Sequence, residues 1–331
     1  MAQLQNMTII SIDELESQLG VSKWPKYISA CEDAFRDRIR QIADRILADS
    51  QIRAVFVSGP TASGKTTFST RLAEMLNRTG RLTRLISLDD YYNSDVGRFD
   101  EKGRPDFESI DMLDTDQMVA DFSGLMAGRK VQLPTFDFVA RHRILEPDKN
   151  IALQEREIIL AEGLHGLSEL VAGQLPPEHC LGVFIMPWCT LLDGRQLLGS
   201  RDLRILRRVS RDVLHRGSTA LSTLDYWPMI DRTEQQFFPD YLSRADEYIN
   251  SCLTYEFCVI APLAATQLAH SLEQYEMGRL PGSAYRKAQQ GYADLPAAVA
   301  EARSLLKDCA LIPAADRSIV PAHSILNEFI R

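Results

Sequence analysis

The spacing of apolar positions changes along the chain and sorts it into helices and short strands. Tyr27, Cys31, Phe35, Ile39, Ile42 and Ile46 recur every three or four residues, which places them on one helical face. Ala54, Val55, Phe56 and Val57 form an unbroken apolar run, predicting a buried strand. Phe68, Leu72, Met75 and Leu76 then return to helical spacing, ending near Gly80. Further strands are expected at 84–88, 157–161, 181–186 and 257–260, each short and rich in apolar residues, with helical patterns between several of them. Such alternation predicts an α/β fold in which a parallel sheet carries helices on both faces. Between about 91 and 150 the periodicity fails, apart from a helix expected over 114–126, and the stretch reads as an insertion above the sheet edge, where loops bind substrate. The divisions expected are a helical amino-terminal segment (1–50), a main domain (51–277) and a helical carboxyl-terminal extension (278–331).

Between the first strand and its helix stands SGPTASGKTT, in which Gly59, Gly64, Lys65 and Thr66 fit G-x-x-x-x-G-K-[ST]. The glycines let backbone amides turn inward on phosphate oxygens, so Thr61, Ala62, Ser63, Gly64 and Thr67 join Lys65 and Thr66 as nucleotide-binding candidates. Lys65 reaches the terminal phosphates and the Thr66 hydroxyl ligates magnesium in this arrangement. The expected ligands are therefore a nucleotide and Mg2+, a combination that motors, GTPases and sensors share with kinases. Two carboxylates come from other strand ends, where a parallel sheet presents groups to ligand. Glu162 follows the run 158–161 and is a magnesium candidate. Asp89 follows 85–88 and is the better candidate for a general base, counted also with Thr66 and Glu162 around the metal, although Asp89 or Asp90 could instead cap a turn. No N-K-x-D guanine-reading motif occurs, which weakens a GTPase reading.

The 331 residues carry a formal charge of -8, which argues against general attraction to nucleic acid or anionic membrane and for a small-molecule partner. The amino terminus lacks a secretory pattern, so a cytoplasmic protein is expected. Homo-oligomerisation is left open. The six cysteines show neither C-x-x-C pairing nor zinc spacing and read as free thiols.

The segments GPTASGKTT, SLDDYY, DFESIDMLD, PTFDFVARHR, AEGLHG and RRVSRDVLHRG, in that order, resemble the uridine kinase and phosphoribulokinase family of P-loop kinases. TLDYWPMIDRTEQQFFPDYLSRADEYINSCLTYEF and SILNEFI look most like the uridine kinase-like proteins that in longer forms carry an amino-terminal TGS domain. No such domain precedes the motif here, so its functions are not expected. The resemblance implies an ATP-dependent kinase acting on a hydroxyl of a nucleoside or sugar-like metabolite. Asp89 would be the base, Tyr92 would lie near the acceptor and Glu108 would hold sugar hydroxyls. Arg208, Arg211 and Arg216 match arginines that the family places in a mobile lid (about 201–218) over the transferred phosphate, with Asp212 orienting one of them. Arg141 replaces the histidine with which uridine kinases read the pyrimidine, and Phe136 stands where that motif has a tyrosine. An anionic acceptor such as a sugar phosphate would suit Arg141. His165 reads as a neutral turn histidine. A regulatory protein that senses nucleotide without catalysis is the alternative of a different class.

Overall fold

The computed structural model describes residues 7–93, 98–137, 142–286 and 291–331, and of residues 146–149 the backbone only. Its centre is a five-stranded parallel sheet of β2 (Ala54–Ser58), β3 (Thr83–Ser87), β6 (Ile158–Glu162), β7 (Cys180–Met186) and β10 (Glu247–Asn250). The strands lie in the order β10-β7-β2-β6-β3. All residues of β2 and β6 are buried, as expected of central strands covered on both faces.

After the short α1 (Ile12–Gln18), helix α2 (Trp24–Ala48) buries Ile28, Phe35, Ile39, Ile42 and Ile46, and helix α3 (Lys65–Arg78) buries Phe68, Leu72 and Leu76. Both stripes join one core with Val55 and Val57, while Phe56 and Ala54 face a second core containing Phe122, Met118 and Leu125 from α4 (Thr115–Met126). The alternating residues of β2 thus divide between the two faces of the sheet. Asp114 caps α4 by accepting the Gln117 N–H.

One strand expected from the sequence is a helix. Beyond α6 (Ala220–Arg244), residues 257–260 open α7 (Phe257–Glu276), whose buried stripe continues through Ala261, Ala264, Leu268 and Leu272. A four-residue apolar run buried on every side cannot distinguish the two states, and the i+3/i+4 continuation decides for the helix. The edge position is filled instead by β10, whose mixed sequence Glu-Tyr-Ile-Asn pairs in parallel with residues 183–186 of β7. Pro262 inside α7 has no N–H for the Cys258 carbonyl, and the Ala315 N–H takes it at 2.8 Å. The carboxyl-terminal region is tied into the fold by that bond, and Ala298, Ala302, Leu305 and Phe329 belong to the same core as Val55 and Val57 of β2.

The amino-terminal region is helical after a strand the sequence did not signal. β1 (Thr8–Ser11) pairs in parallel with β8 (Cys189–Asp193), which pairs in turn with β9 (Arg195–Gly199). The insertion likewise holds an unforeseen antiparallel hairpin, β4 (Val131–Asp137) with β5 (His142–Ile151). Its alternation is broken by a register shift between Gln132 and Pro134.

The arginine-rich segment is not an exposed flap. Residues 200–215 form one helix, α5 (Ser200–His215), packed through Leu203, Ile205, Leu206 and Val209, all fully buried. Among the described residues, no helix is long and apolar enough to cross a membrane.

Candidate active site

Three strands deliver their chemistry to one level. Val57 of β2 and Ser87 of β3 both stand opposite Glu162 at the end of β6. The chain leaving β2 becomes the glycine loop, that leaving β3 becomes the turn carrying Asp89, and Glu162 lies between them. Carboxyl ends on either side of a reversal in strand order form the crevice where open α/β sheets bind ligand.

The loop is shaped by close approach. A Cβ at Gly59 would collide with the Ile185 carbonyl oxygen, and Gly64 adopts φ +87 as the N-cap of α3. Ala62 also takes a positive φ of 57, a strained conformation for an L residue that the surroundings must hold. Arginines of α5 supply that hold. Arg204 Nε donates to the Thr61 carbonyl at 3.0 Å, Arg207 Nη1 to the Ala62 carbonyl at 3.2 Å and Arg208 Nη1 to the Thr61 hydroxyl at 2.8 Å. Arg204 is itself fixed by Glu234, and Arg207 by a two-pronged pair with Glu256 at 2.7 and 2.8 Å in which both side chains are wholly buried.

Within the crevice, Thr66 is exposed and its hydroxyl donates to Glu162 Oε1 at 3.3 Å. The Lys65 ammonium donates to the Pro60 carbonyl at 2.9 Å. Burial, then the neighbouring Asp89 carboxylate, push the Glu162 pKa up to about 7, with Glu328 adding to the rise and Lys65 opposing it. Asp89 is reachable from solvent, yet enough protein surrounds it that desolvation is the largest influence raising its pKa. Lys65 lowers it, Glu108 raises it again and Arg216 lowers it. Carboxylates crowded in this way favour a cation between them.

This donor set fits a magnesium ion held jointly with phosphate oxygens: one hydroxyl, one or two carboxylates and an open side, the pattern of sites that keep water and phosphate on the metal. Among the described residues no three His, Cys, Asp or Glu side chains gather into a protein cage. Ser63 Oγ, within the loop sequence, is buried without a hydrogen-bond partner, a donor left to be satisfied.

On the acceptor side, Tyr92 donates to the Phe107 carbonyl at 3.1 Å and its ring lies 5.7 Å from that of Phe136. The Phe136 N–H donates to Asp90 Oδ1 at 3.0 Å, so the hairpin is tied to the Asp89 turn and Asp90 has a structural task. Glu108 Oε1 accepts from Arg208 at 3.3 Å. His165 is buried, and desolvation lowers its pKa to about 4, leaving it neutral. Its Nε2 lies 2.8 Å from the Glu108 carbonyl, which can only accept, so Nε2 carries the proton and Nδ1 accepts from the Tyr241 hydroxyl at 2.6 Å. The expected turn histidine therefore positions the backbone of Glu108.

Arg208, Arg211 and Arg216 converge on Asp212, at 3.3, 2.8 and 3.6 Å. Burial works against the Asp212 charge, but the three guanidinium groups overcome it and hold its pKa below the usual carboxylate range. Tyr285 completes the cluster, donating to Asp212 at 2.8 Å while its ring stacks on Tyr226 at 4.2 Å. Of the expected site residues, Gly59 to Thr67, Asp89, Glu162, Tyr92, Glu108, Phe136 and the three arginines border one crevice through these contacts, and Arg141 lies outside the described residues. Sequence reasoning missed the work of Arg204 and Arg207, whose only signal was their place in a basic run, and of Tyr226 and Tyr285, which carried none.

The family model described as Phosphoribulokinase / Uridine kinase family matches residues 54–256. A uridine kinase of Halobacterium salinarum is 25% identical over 195 residues, 58% of this chain and 77% of that protein. One from Macrococcus caseolyticus is 26% identical over 200 residues, 60% and 87% of the two chains. Among solved structures, "a Possible Uridine Kinase from Bacillus stearothermophilus" aligns with 65% of this chain and 98% of its own, at 19% identity and a TM-score of 0.45.

Proposed function

The chain belongs to the Phosphoribulokinase / Uridine kinase family, and from that premise we propose that it is an ATP-dependent kinase transferring the γ-phosphoryl group to a hydroxyl of a nucleoside or sugar-like acceptor. The observation that carries the reading is the gathering of Lys65, Asp89 and Glu162 around the carboxyl ends of adjacent strands, where Lys65 opposes the raised pKa of both carboxylates and Asp89 adds to that of Glu162. Phosphoryl transfer asks for alignment and charge stabilisation more than for covalent chemistry, and these groups offer both.

In this reading the loop amides and Lys65 bind the distal phosphates. Thr66 and Glu162 hold magnesium, which screens phosphate charge when bound. Asp89 accepts the proton of the acceptor hydroxyl, a role its raised pKa suits because a stronger base removes that proton more readily. Glu108, fixed through its carbonyl by His165 and through its carboxylate by Arg208, orients the acceptor, and Tyr92 and Phe136 offer it an aromatic wall. Arg211 and Arg216, gathered by Asp212, face the charge that spreads in the transition state.

The test is Asp89→Asn, which keeps shape and removes the base. Binding of magnesium-ATP should persist while acceptor-dependent turnover falls by about two to four orders of magnitude. Undiminished turnover would remove Asp89 from the base role.

A further inference from the structure

The last eleven residues reach the phosphate loop. Ile325 is fully buried against Gly64, close enough that a Cβ built there would lie 2.8 Å from Ile325 Cγ1. Three residues on, Glu328 Oε2 accepts the hydroxyl of Thr67 at 2.9 Å. Thr67 stands in the first turn of the fourteen-residue helix α3, where N–H groups point toward the loop and the helix dipole attracts anions. The tail is firmly seated. Leu326, Phe329 and Ile330 are wholly buried, Ser324 shares a hydrogen bond with Tyr255 at 3.1 Å, and the Phe329 ring lies 5.0 Å from the Arg207 guanidinium. The Asn327 amide closes the turn onto the Pro321 and Ala322 carbonyls at 2.8 and 3.0 Å. Glu328 alone brings a negative charge from this segment to the loop, and it does so where an incoming phosphate chain is also negative.

We propose that Glu328 is a built-in counterweight to the nucleotide, holding the Thr67 hydroxyl and the positive end of α3 so that the carboxyl-terminal tail lowers affinity for ATP while leaving the acceptor side untouched. The inference rests on the kinase reading of the loop. A simple structural role would need only an acceptor for the Thr67 hydroxyl, and a glutamine carbonyl would serve equally. Charge is therefore the discriminating property, and Glu328→Gln changes it with little change of shape. Removing one like charge beside a partly exposed anion site tightens binding by about tenfold. The gain should be smaller for magnesium-ATP than for metal-free ATP, because the metal cancels part of the ligand's charge.

The experiment measures binding of ATP, with magnesium and with a chelator, to full-length wild type, Glu328→Gln, Glu328→Ala and Lys65→Ala, together with KM for an accepted acceptor. Tighter binding by both Glu328 variants, larger without metal and with acceptor KM unchanged, supports the proposal. Equal or weaker ATP binding by Glu328→Gln, while Lys65→Ala binds poorly, overturns it and leaves the kinase reading intact. Wild type that binds no ATP, or binds it independently of Lys65, overturns both.

Discussion

Replacing Arg207 with methionine tests how the loop is held in place. The guanidinium is wholly buried, makes two hydrogen bonds to an equally buried Glu256, and donates further to the carbonyls of Ala62 and Ser251. Methionine fills much of the space but leaves the Glu256 carboxylate without its cation. Breaking a buried pair on one side costs about 3–5 kcal/mol, because an uncompensated charge stays out of water. At about 2 °C per kcal/mol for a chain of this size, the thermal midpoint should fall by about 6–10 °C, read by circular dichroism at fixed protein concentration. Glu256 also accepts the Leu253 N–H at 2.9 Å, a bond that glutamine can keep. Arg207→Met with Glu256→Gln should therefore recover at least half of the loss, since no buried charge is then unpaired. ATP affinity should remain reduced in both variants, because Ala62, at φ 57, has lost its anchor. A single variant melting within about 1 °C of wild type, or a double variant worse than the single one, would mean that the Arg207–Glu256 pair does not hold the loop.

Other consequences follow from the same geometry. Gly59→Ala places a methyl group against the Ile185 carbonyl, a backbone atom that cannot swing aside, so ATP binding measured by calorimetry should be lost. His165 has a folded pKa near 4 against an ordinary value of 6.5, so the unfolded chain binds its proton first as pH falls. Its stability contribution is complete above about pH 6.5 and is lost as pH drops toward 4, about 3 kcal/mol in all. Denaturant midpoints measured across that window should be steeper in pH for wild type than for His165→Gln. Glu108→Gln should raise KM for the acceptor more than for ATP in steady-state assays, since its carboxylate lies beside Asp89 and Arg208 rather than in the loop.

What the sequence discloses depends on how far apart the interacting groups lie. The glycine loop was legible because its work is done by local backbone amides and by a lysine and threonine at fixed spacing. Glu162 and Asp89 could be read as strand-end groups because the parallel sheet aligns its carboxyl ends. The arginine run was visible, but burial of Arg204 and Arg207 depends on Glu234 and Glu256, 30 and 49 residues away, and no local pattern announces those pairs. Residues 257–260 were read as a strand because an apolar run buried all round has no period to betray it. Tyr285 and Glu328 sit far along the chain from the groups they touch, 73 residues from Asp212 and 261 from Thr67, and only the fold brings them together.

In the proposed reaction the crevice of Lys65, Asp89 and Glu162 moves a phosphoryl group to a carbon-bound hydroxyl. The most direct measurement supplies γ-labelled ATP and magnesium with a panel of nucleosides, sugars and sugar phosphates, and follows label into product for wild type and Asp89→Asn. Label is expected on at least one acceptor with wild type, with ADP released in equal amount, and transfer lowered by at least about a hundredfold in the variant. Nucleotide that binds in a Lys65-dependent way yet labels no acceptor in the panel would contradict it and favour a protein that senses ATP without spending it.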